Sequence, residues 1–403
     1  MKSPTLLFLL FICIIFSNKT NSQSVKTYDP LIQNIVDSVN EDTIWNDIAS
    51  LAVLQRLSTN VNAIESSDFL KNYFISLGFD SVYFQNYQSG YIPNVIAEKY
   101  GLTYPDSVII LGAHYDVYAS NAPGADDNAS GTAGVMETAR VIAGKNYKRT
   151  IKLICFSGEE QGMRGSTAYA NAAFTAGEKI KAAITMDMIA YLMPGDPINS
   201  DVYFNTASTA LKDNYASITS LYISGFNVDN AIYPSGAGSD VAPFWNKGYK
   251  AIFPCEGQYS SIPSNDHCSP YMHTSQDILG TSANSQLQAK QITQSVVATV
   301  VTLAELEQQA FIQGSTNEEY YFDVSPVPAS SNITVRYITY EMSDVKLSIY
   351  DMFGRCMKTF ENTMKDEGAR EITFQVNDLQ SGIYFIKMET NNYSLTKKII
   401  VSK

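Results

Sequence analysis

Positive charge is scarce in this chain. Lysine and arginine number 28 against 40 aspartates and glutamates, a formal net charge of −12. Neutralising phosphates needs a basic face, and no basic stripe interrupts the sequence, so no nucleic acid is expected as a partner. Long apolar runs are equally scarce. The one that stands out is Leu6–Phe16, preceded by Lys2 and followed by polar Ser17–Ser24. That order is the layout of a secretory signal, and the run is too short for a permanent membrane span. Nothing later approaches a span, so the expectation is an exported chain, secreted or cell-surface associated, with no transmembrane anchor. Cysteine is sparse too, at five. Cys13 follows Ile12 rather than a small residue, which argues against a lipoprotein site. Cys155, inside "TIKLICF", reads as a small buried apolar residue. Cys255 and Cys268 flank a loop, and export permits a disulfide between them. Such a bond would stabilise by about 3 kcal/mol.

What is present describes a globular protein, with 45% hydrophobic and 17% charged residues. At 403 residues it has room for more than one domain. After a signal peptide at 1–23, residues 31–80 carry apolar residues at helical spacing. Strand-like runs then appear at 94–100, 107–116, 150–158, 180–188 and 250–254, with helical stretches at 129–143, 165–174 and 284–310 between and after them. Such alternation with near-continuous apolar strands predicts an α/β fold, a mainly parallel sheet flanked by helices on both faces. One domain is therefore expected over 24–310, including its N-terminal helical segment. Residues 311–325 read as a linker. From 326 to 403 the pattern has period two, interrupted by Gly, Asn and Asp, which predicts a small all-β, sandwich-like module.

In an open α/β sheet, ligands bind beyond the carboxyl ends of the strands. Polar residues gather at those ends here. His114 and Asp116 close one strand, and Asp126 and Asp127 lie in the next loop, "PGADDNASG". Glu159 and Glu160 follow another strand, Asp187 a third, and His273 comes later in "YMHTSQD". The plain reading of "PGADDNASG" is a turn with a helix cap, since Asp and Asn bind free N–H groups there. The alternative is a carboxylate bridging two metal ions. Two imidazoles and several carboxylates on one rim suit zinc, and paired metals about 3.5–4 Å apart can hold both the attacking and the leaving oxygens. One of two adjacent glutamates can bind metal while the other acts as general base toward metal-bound water. Asp116, two residues from His114, is placed to orient its ring.

"GAHYD", "PGADDNASG", "FSGEEQGMRGS", "TMDM" and "YMHTSQD", in that order, resemble the motif set of the M28 peptidases, the co-catalytic zinc exopeptidases that include secreted bacterial leucyl aminopeptidases. The resemblance covers about residues 90–280. It implies two zinc ions per chain, one bound by His114 and Asp187, the other by Glu160 and His273, with Asp127 bridging. It implies Glu159 as general base and a supporting role for Asp126. In the secreted leucyl aminopeptidases the segment matching "YPSGAGSDVAPFW" carries a cysteine pair and a tyrosine near the reaction centre. Here Pro234, Gly236 and Gly238 stand in that segment, so that tyrosine's hydrogen bond is missing. Asp240 keeps the family's Ser-Asp pair, and with Tyr271 it is a candidate for the substrate pocket. His267 matches no ligand position and reads as a loop residue.

The tail resembles the C-terminal sorting domains of Bacteroidetes-type secretion, in "SPVPASSNITV", "LSIYDMFGR", "LQSGIYFIKM" and the final "TKKIIVSK". Val327 stands where that family usually shows asparagine. The resemblance implies an outer-membrane secretion machinery as partner, and an accessory binding module is the alternative. For the whole chain the leading expectation is an aminopeptidase acting on peptide substrates. A carboxypeptidase or dipeptidase would use the same ligands. A glutaminyl cyclase-like acyltransferase typically needs one zinc, and a non-catalytic binding protein tends to lose ligands or base.

Overall fold

A computed structural model describes residues 27–231, 238–258, 267–307, 321–339, 341–391 and 393–403. The expected signal peptide, most of the expected linker, and Pro234 and Gly236 lie outside the described residues. The chain divides into two compact units, 1–307 and 308–403.

The first unit begins with three helices, α1 (Pro30–Asp37), α2 (Glu41–Ala52) and α3 (Ile64–Ser76). Strands β1 (Ser81–Gln85), β2 (Asn94–Lys99) and β3 (Tyr104–His114) follow, then α4 (Ala129–Ile142), β4 (Arg149–Phe156), α5 (Arg164–Ala176) and β5 (Lys179–Thr185). The remainder is β6 (Asn199–Phe204), α6 (Thr209–Tyr222), β7 (Asn227–Ala231), α7 (Val241–Asn246), β8 (Ala251–Cys255) and α8 (Gln286–Ala304). The strands form one sheet in the order β1-β2-β4-β3-β5-β8-β6-β7. The centre, β4-β3-β5-β8, is parallel throughout, while β1, β2 and β6 each make an antiparallel pairing. The expected parallel sheet is thus its central half.

Alternate residues of the central strands serve opposite faces. In β3, Ile109, Leu111 and Ala113 join a large core with α4 and α8, while Val108 and Ile110 pack with residues of α5 and α7 on the other side. In β4, Ile151, Leu153 and Cys155 face the first core, and Ile154 and Phe156 the second. Burial on both faces explains the unbroken apolar runs in the sequence. At Gly112 an added Cβ would lie 2.5 Å from the Phe156 ring, so only glycine lets β3 and that ring close up. The N-terminal helices belong to the same core, through Ile32, Ile35, Val36, Ile44, Ile48 and Leu51.

Three strands were not anticipated. β7, "NVDNA", is a mostly exposed edge strand whose polar residues give no alternation to read. β1 and β6 are likewise short. Helix α6 was also passed over, although Leu211, Tyr215, Ile218 and Tyr222 fall on one face at helical spacing. Among the described residues no helix is long and apolar enough to cross a membrane.

The second unit holds β9 (Phe322–Ser325), β10 (Asn332–Thr339), β11 (Ser343–Asp351), β12 (Cys356–Lys365), β13 (Gly368–Gln375), β14 (Gly382–Glu389) and β15 (Ser394–Val401). Two antiparallel sheets, β13-β10-β9 and β12-β11-β14-β15, enclose a core including Val335, Tyr337, Leu347, Ile349, Ile386 and Ile399. It is a small all-β sandwich. β9 lies within the stretch expected to be linker, because Phe322 and Val324 turn inward to this core.

Candidate metal centre

His114, Asp187 and the Glu159–Glu160 pair lie at or just after strand ends, while Asp127 and His273 are carried on loops. β3 terminates at His114, and its ring is fully enclosed. Nε2 of His114 lies 3.2 Å from Asp187 Oδ1 and 3.3 Å from Asp127 Oδ1. Asp187 follows β5 by two residues, and its other oxygen accepts a hydrogen bond from Ser239 Oγ at 3.0 Å. On the opposite side of Asp127, Oδ2 is 3.2 Å from His273 Nε2, which is 3.1 Å from Glu160 Oε2. The rim therefore holds two groups able to bind a metal ion, His114–Asp127–Asp187 and Asp127–Glu160–His273, and Asp127 is common to both.

In the loop carrying Asp127, the helix cap is not Asp127 itself. Asn128 is the cap of α4, its side-chain oxygen accepting from Gly131 N at 2.8 Å. The same side chain donates to Met186 O at 3.0 Å and so ties α4 to the end of β5. Gly131 permits this approach, since a Cβ there would strike Asn128 Oδ1 and lie 2.8 Å from Met186 O. With the cap supplied by its neighbour, Asp127 is free to face both imidazoles. Its backbone N–H and that of Asp126 both donate to Asp277, at 3.1 and 2.8 Å. Asp126 itself turns away from the groups and accepts from Ala190 N at 3.0 Å.

The electrostatics are those of crowded acids around two rings. Burial would raise the Asp127 carboxyl, but hydrogen bonds from His114 and His273 outweigh it and hold it below its ordinary value. Burial and the charge of Asp127 push Glu160 up to about 7. Hydrogen bonds with Asp127 and Glu160 push His273 up to about 10. Burial, reinforced by Asp240, Asp187 and Glu160 against His114, raises Glu159 well above its usual value. Glu159 is half-buried beside the groups, and its backbone N–H donates to Asp116 Oδ1 at 3.2 Å. One further observation favours a cation: Glu160 Oε1 is buried with no hydrogen-bond partner. Nitrogen and oxygen donors in this mixture fit zinc.

Asp116, expected to orient His114, places its backbone oxygen 3.2 Å and its carboxylate 3.7 Å from Nδ1. The same carboxylate accepts from the Glu159 amide, so it links the two motifs. Cys255 and Cys268 are free thiols rather than a disulfide. Both sulfurs donate to Gly257 O, at 2.9 and 3.2 Å, because Gly257 packs directly against the backbone of His267 and Cys268. Asp240 is 1% exposed. Burial pushes it up to about 7, opposed by His114 and Ser166. Tyr271 is half-buried and packs edge-on against Tyr191 at 6.5 Å. His267 lies away from both groups, with Nδ1 3.0 Å from Asp196.

Arg56 is a residue that sequence reasoning missed. Fully buried, it donates to the carbonyls of Tyr115, Pro123 and Gly124 at 3.0, 2.5 and 2.7 Å, clamping both ends of the loop between His114 and Asp127. Burial lowers its pKa to about 10, against Asp277, Asp116 and Asp127. Nothing in its local sequence signals that role. Asp277 did leave a signal, closing "YMHTSQD" four residues after His273.

Comparison with known proteins places the same region in a known family. The pattern of "Peptidase family M28" matches residues 94–300, just over half of the chain. That of the "Secretion system C-terminal sorting domain" matches 323–402. A "Probable zinc metalloprotease" of Pyrenophora tritici-repentis is 41% identical over 105 residues, 24% of this chain and 22% of that protein. A "Probable leucine aminopeptidase" of Trichophyton verrucosum is 28% identical over 198 residues, 46% of this chain and 50% of that one. The chain thus spans between about a fifth and a half of the length of these curated relatives. The structure of the Legionella pneumophila LapA aminopeptidase superposes with a TM-score of 0.61 and 25% identity, covering 71% of this chain and 79% of that one. A glutaminyl cyclase of Fimbriiglobus ruber shares the fold alone, at a TM-score of 0.52 and 15% identity, over 65% and 95% of the two chains. The matched span includes every residue of both ligand groups, and the chain belongs to peptidase family M28.

Proposed function

We propose that this chain is an exported two-zinc aminopeptidase that removes N-terminal residues from peptides. The observation that carries the reading is the sharing of Asp127 between two ligand groups with Glu159 beside them. In this reading His114 and Asp187 hold one zinc, Glu160 and His273 the other, and Asp127 bridges. Zinc bound there supplies Lewis acidity, polarising a peptide carbonyl and acidifying water.

The remaining work falls to the chain. Glu159 accepts the proton of the attacking water and returns it to the leaving amine. Burial and the neighbouring carboxyls raise its proton affinity, which favours taking the proton from water. Asp116 keeps its backbone at the rim through the amide hydrogen bond. Attack on the terminal peptide bond is favoured by the relatives and structures named as aminopeptidases. Export is favoured by the C-terminal sorting domain, and the secretion machinery is the partner proposed for it.

The test uses one mixed-sequence peptide with a free or an acetylated N-terminus, followed by mass with zinc present. Stepwise N-terminal shortening of the free peptide alone is expected. Shortening from the C-terminus would reassign the chain as a carboxypeptidase. Loss of ammonia from an N-terminal glutamine peptide, without cleavage, would make it a cyclase. Glu159→Gln is expected to keep its zinc and lose turnover by at least about 100-fold.

A further inference from the structure

The two candidate ligand histidines are supported in different ways. A metal-binding imidazole is ordinarily oriented by a hydrogen bond from its second nitrogen. His114 has such a partner in the carbonyl of Asp116. For His273, no described residue accepts a hydrogen bond from Nδ1. The ring is also 37% exposed, on a residue with a positive φ of 65°. What meets it is Tyr118. The two rings lie parallel within 9°, their centroids 4.2 Å apart.

We propose that Tyr118 is the positioning residue for His273, fixing by face-on stacking an imidazole whose Nδ1 no described residue engages. The inference rests on the two-zinc reading above. Tyr118 can do this because the loop bearing it is rigidly held. Arg56 grips Tyr115 O and Gly124 O on either side of it, and Val117 N donates to Arg56 O at 3.3 Å. Gly124, at φ 61°, lets the turn close, since a Cβ there would lie 2.6 Å from Val117 Cγ1. One loop therefore serves both groups, delivering the Asp116 carbonyl to His114 and the Tyr118 ring to His273. Tyr118 is 52% exposed, so its ring is not held there by burial in a core.

The experiment is a zinc titration of the full chain against a chromophoric competing chelator. Wild type is expected to bind two ions. Tyr118→Ala and Tyr118→Leu are expected to weaken one of the two by roughly 10–100-fold and leave the other unchanged. Tyr118→Phe, which keeps the aromatic face, is expected to retain both. Circular dichroism on each variant confirms that the fold persists. Wild-type affinity for both ions in the Ala and Leu variants would overturn the positioning role alone. Equal weakening of both ions would overturn it too, by making Tyr118 a general support of the loop. Fewer than two ions in the wild type would instead remove the two-zinc reading and this inference with it.

Discussion

The two ligand groups share Asp127 and differ in almost everything else. His114–Asp127–Asp187 is buried at the ends of β3 and β5, and each member has a further partner: a carbonyl for His114, the Asp277-held amide for Asp127, Ser239 for Asp187. Asp127–Glu160–His273 opens toward solvent, its imidazole on a loop and its second Glu160 oxygen unpaired. His114 and Asp187 of the first group follow the ends of β3 and β5, while His273 of the second is on a loop and stacks on Tyr118. Sites on strands are more tightly positioned than sites on loops. The lesson is that one shared carboxylate couples a preorganised half to an adaptable half, so the halves should fail separately.

Substitution gives the largest contrast. In the metal-free chain His114→Ala leaves Asp127 and Asp187 buried without their imidazole, which is expected to cost about 3–5 kcal/mol. His273→Ala removes a partly exposed partner and is expected to cost about 1 kcal/mol or less. Chemical denaturation of the two variants checks this, and equal losses would erase the distinction between the halves.

Acid gives the next contrast. Without metal, His273 keeps its proton up to about pH 10 and Glu160 up to about pH 7. Zinc must displace those protons, so binding tightens as pH rises and weakens as it falls. Dialysis from pH 8 to 5 is expected to release one ion ahead of the other, with His273→Ala already lacking the labile one. Simultaneous release of both would break the comparison.

The smallest expected effect comes from an acidic pair with no imidazole between its members. Asp47 on α2 faces Glu137 on α4, and burial with that neighbouring charge pushes it up to about 7, against Arg140. A folded value above the ordinary 3.8 of an aspartate means the folded state holds the proton more tightly. Its cost to stability is absent below about pH 4 and grows as pH rises to about 7. Asp47→Asn should therefore raise the denaturation midpoint at pH 8 and leave it unchanged at pH 4. A pH-independent difference would show that the acid plays no part.

Much of the site was legible because the chemistry-bearing residues sit at fixed offsets from strand ends. "GAHYD", "FSGEE" and "TMDM" each follow a run that is apolar on both faces, and such runs are readable without knowing their neighbours. The central four strands, α4, α5 and α8 were read for the same reason. β7 was not, since an exposed edge has no pattern to display, and β9 was hidden in apparent linker because two inward residues are too few to alternate visibly.

The sequence by itself determined which side chains could bind metal and that a small β module follows, since residue type and local periodicity carry that information. Only the tertiary structure decided which atoms meet. Arg56, from the helical N-terminus, reaches 59 to 68 residues along the chain to three carbonyls. Asp277 reaches back 150 and 151 residues to two amides, and Tyr118 covers a ring that follows far later in sequence. The Cys255 and Cys268 thiols meet over one carbonyl without a bond. Each is a long-range contact between residues whose own neighbours are unremarkable, and packing of the whole domain, rather than any local rule, brings them together.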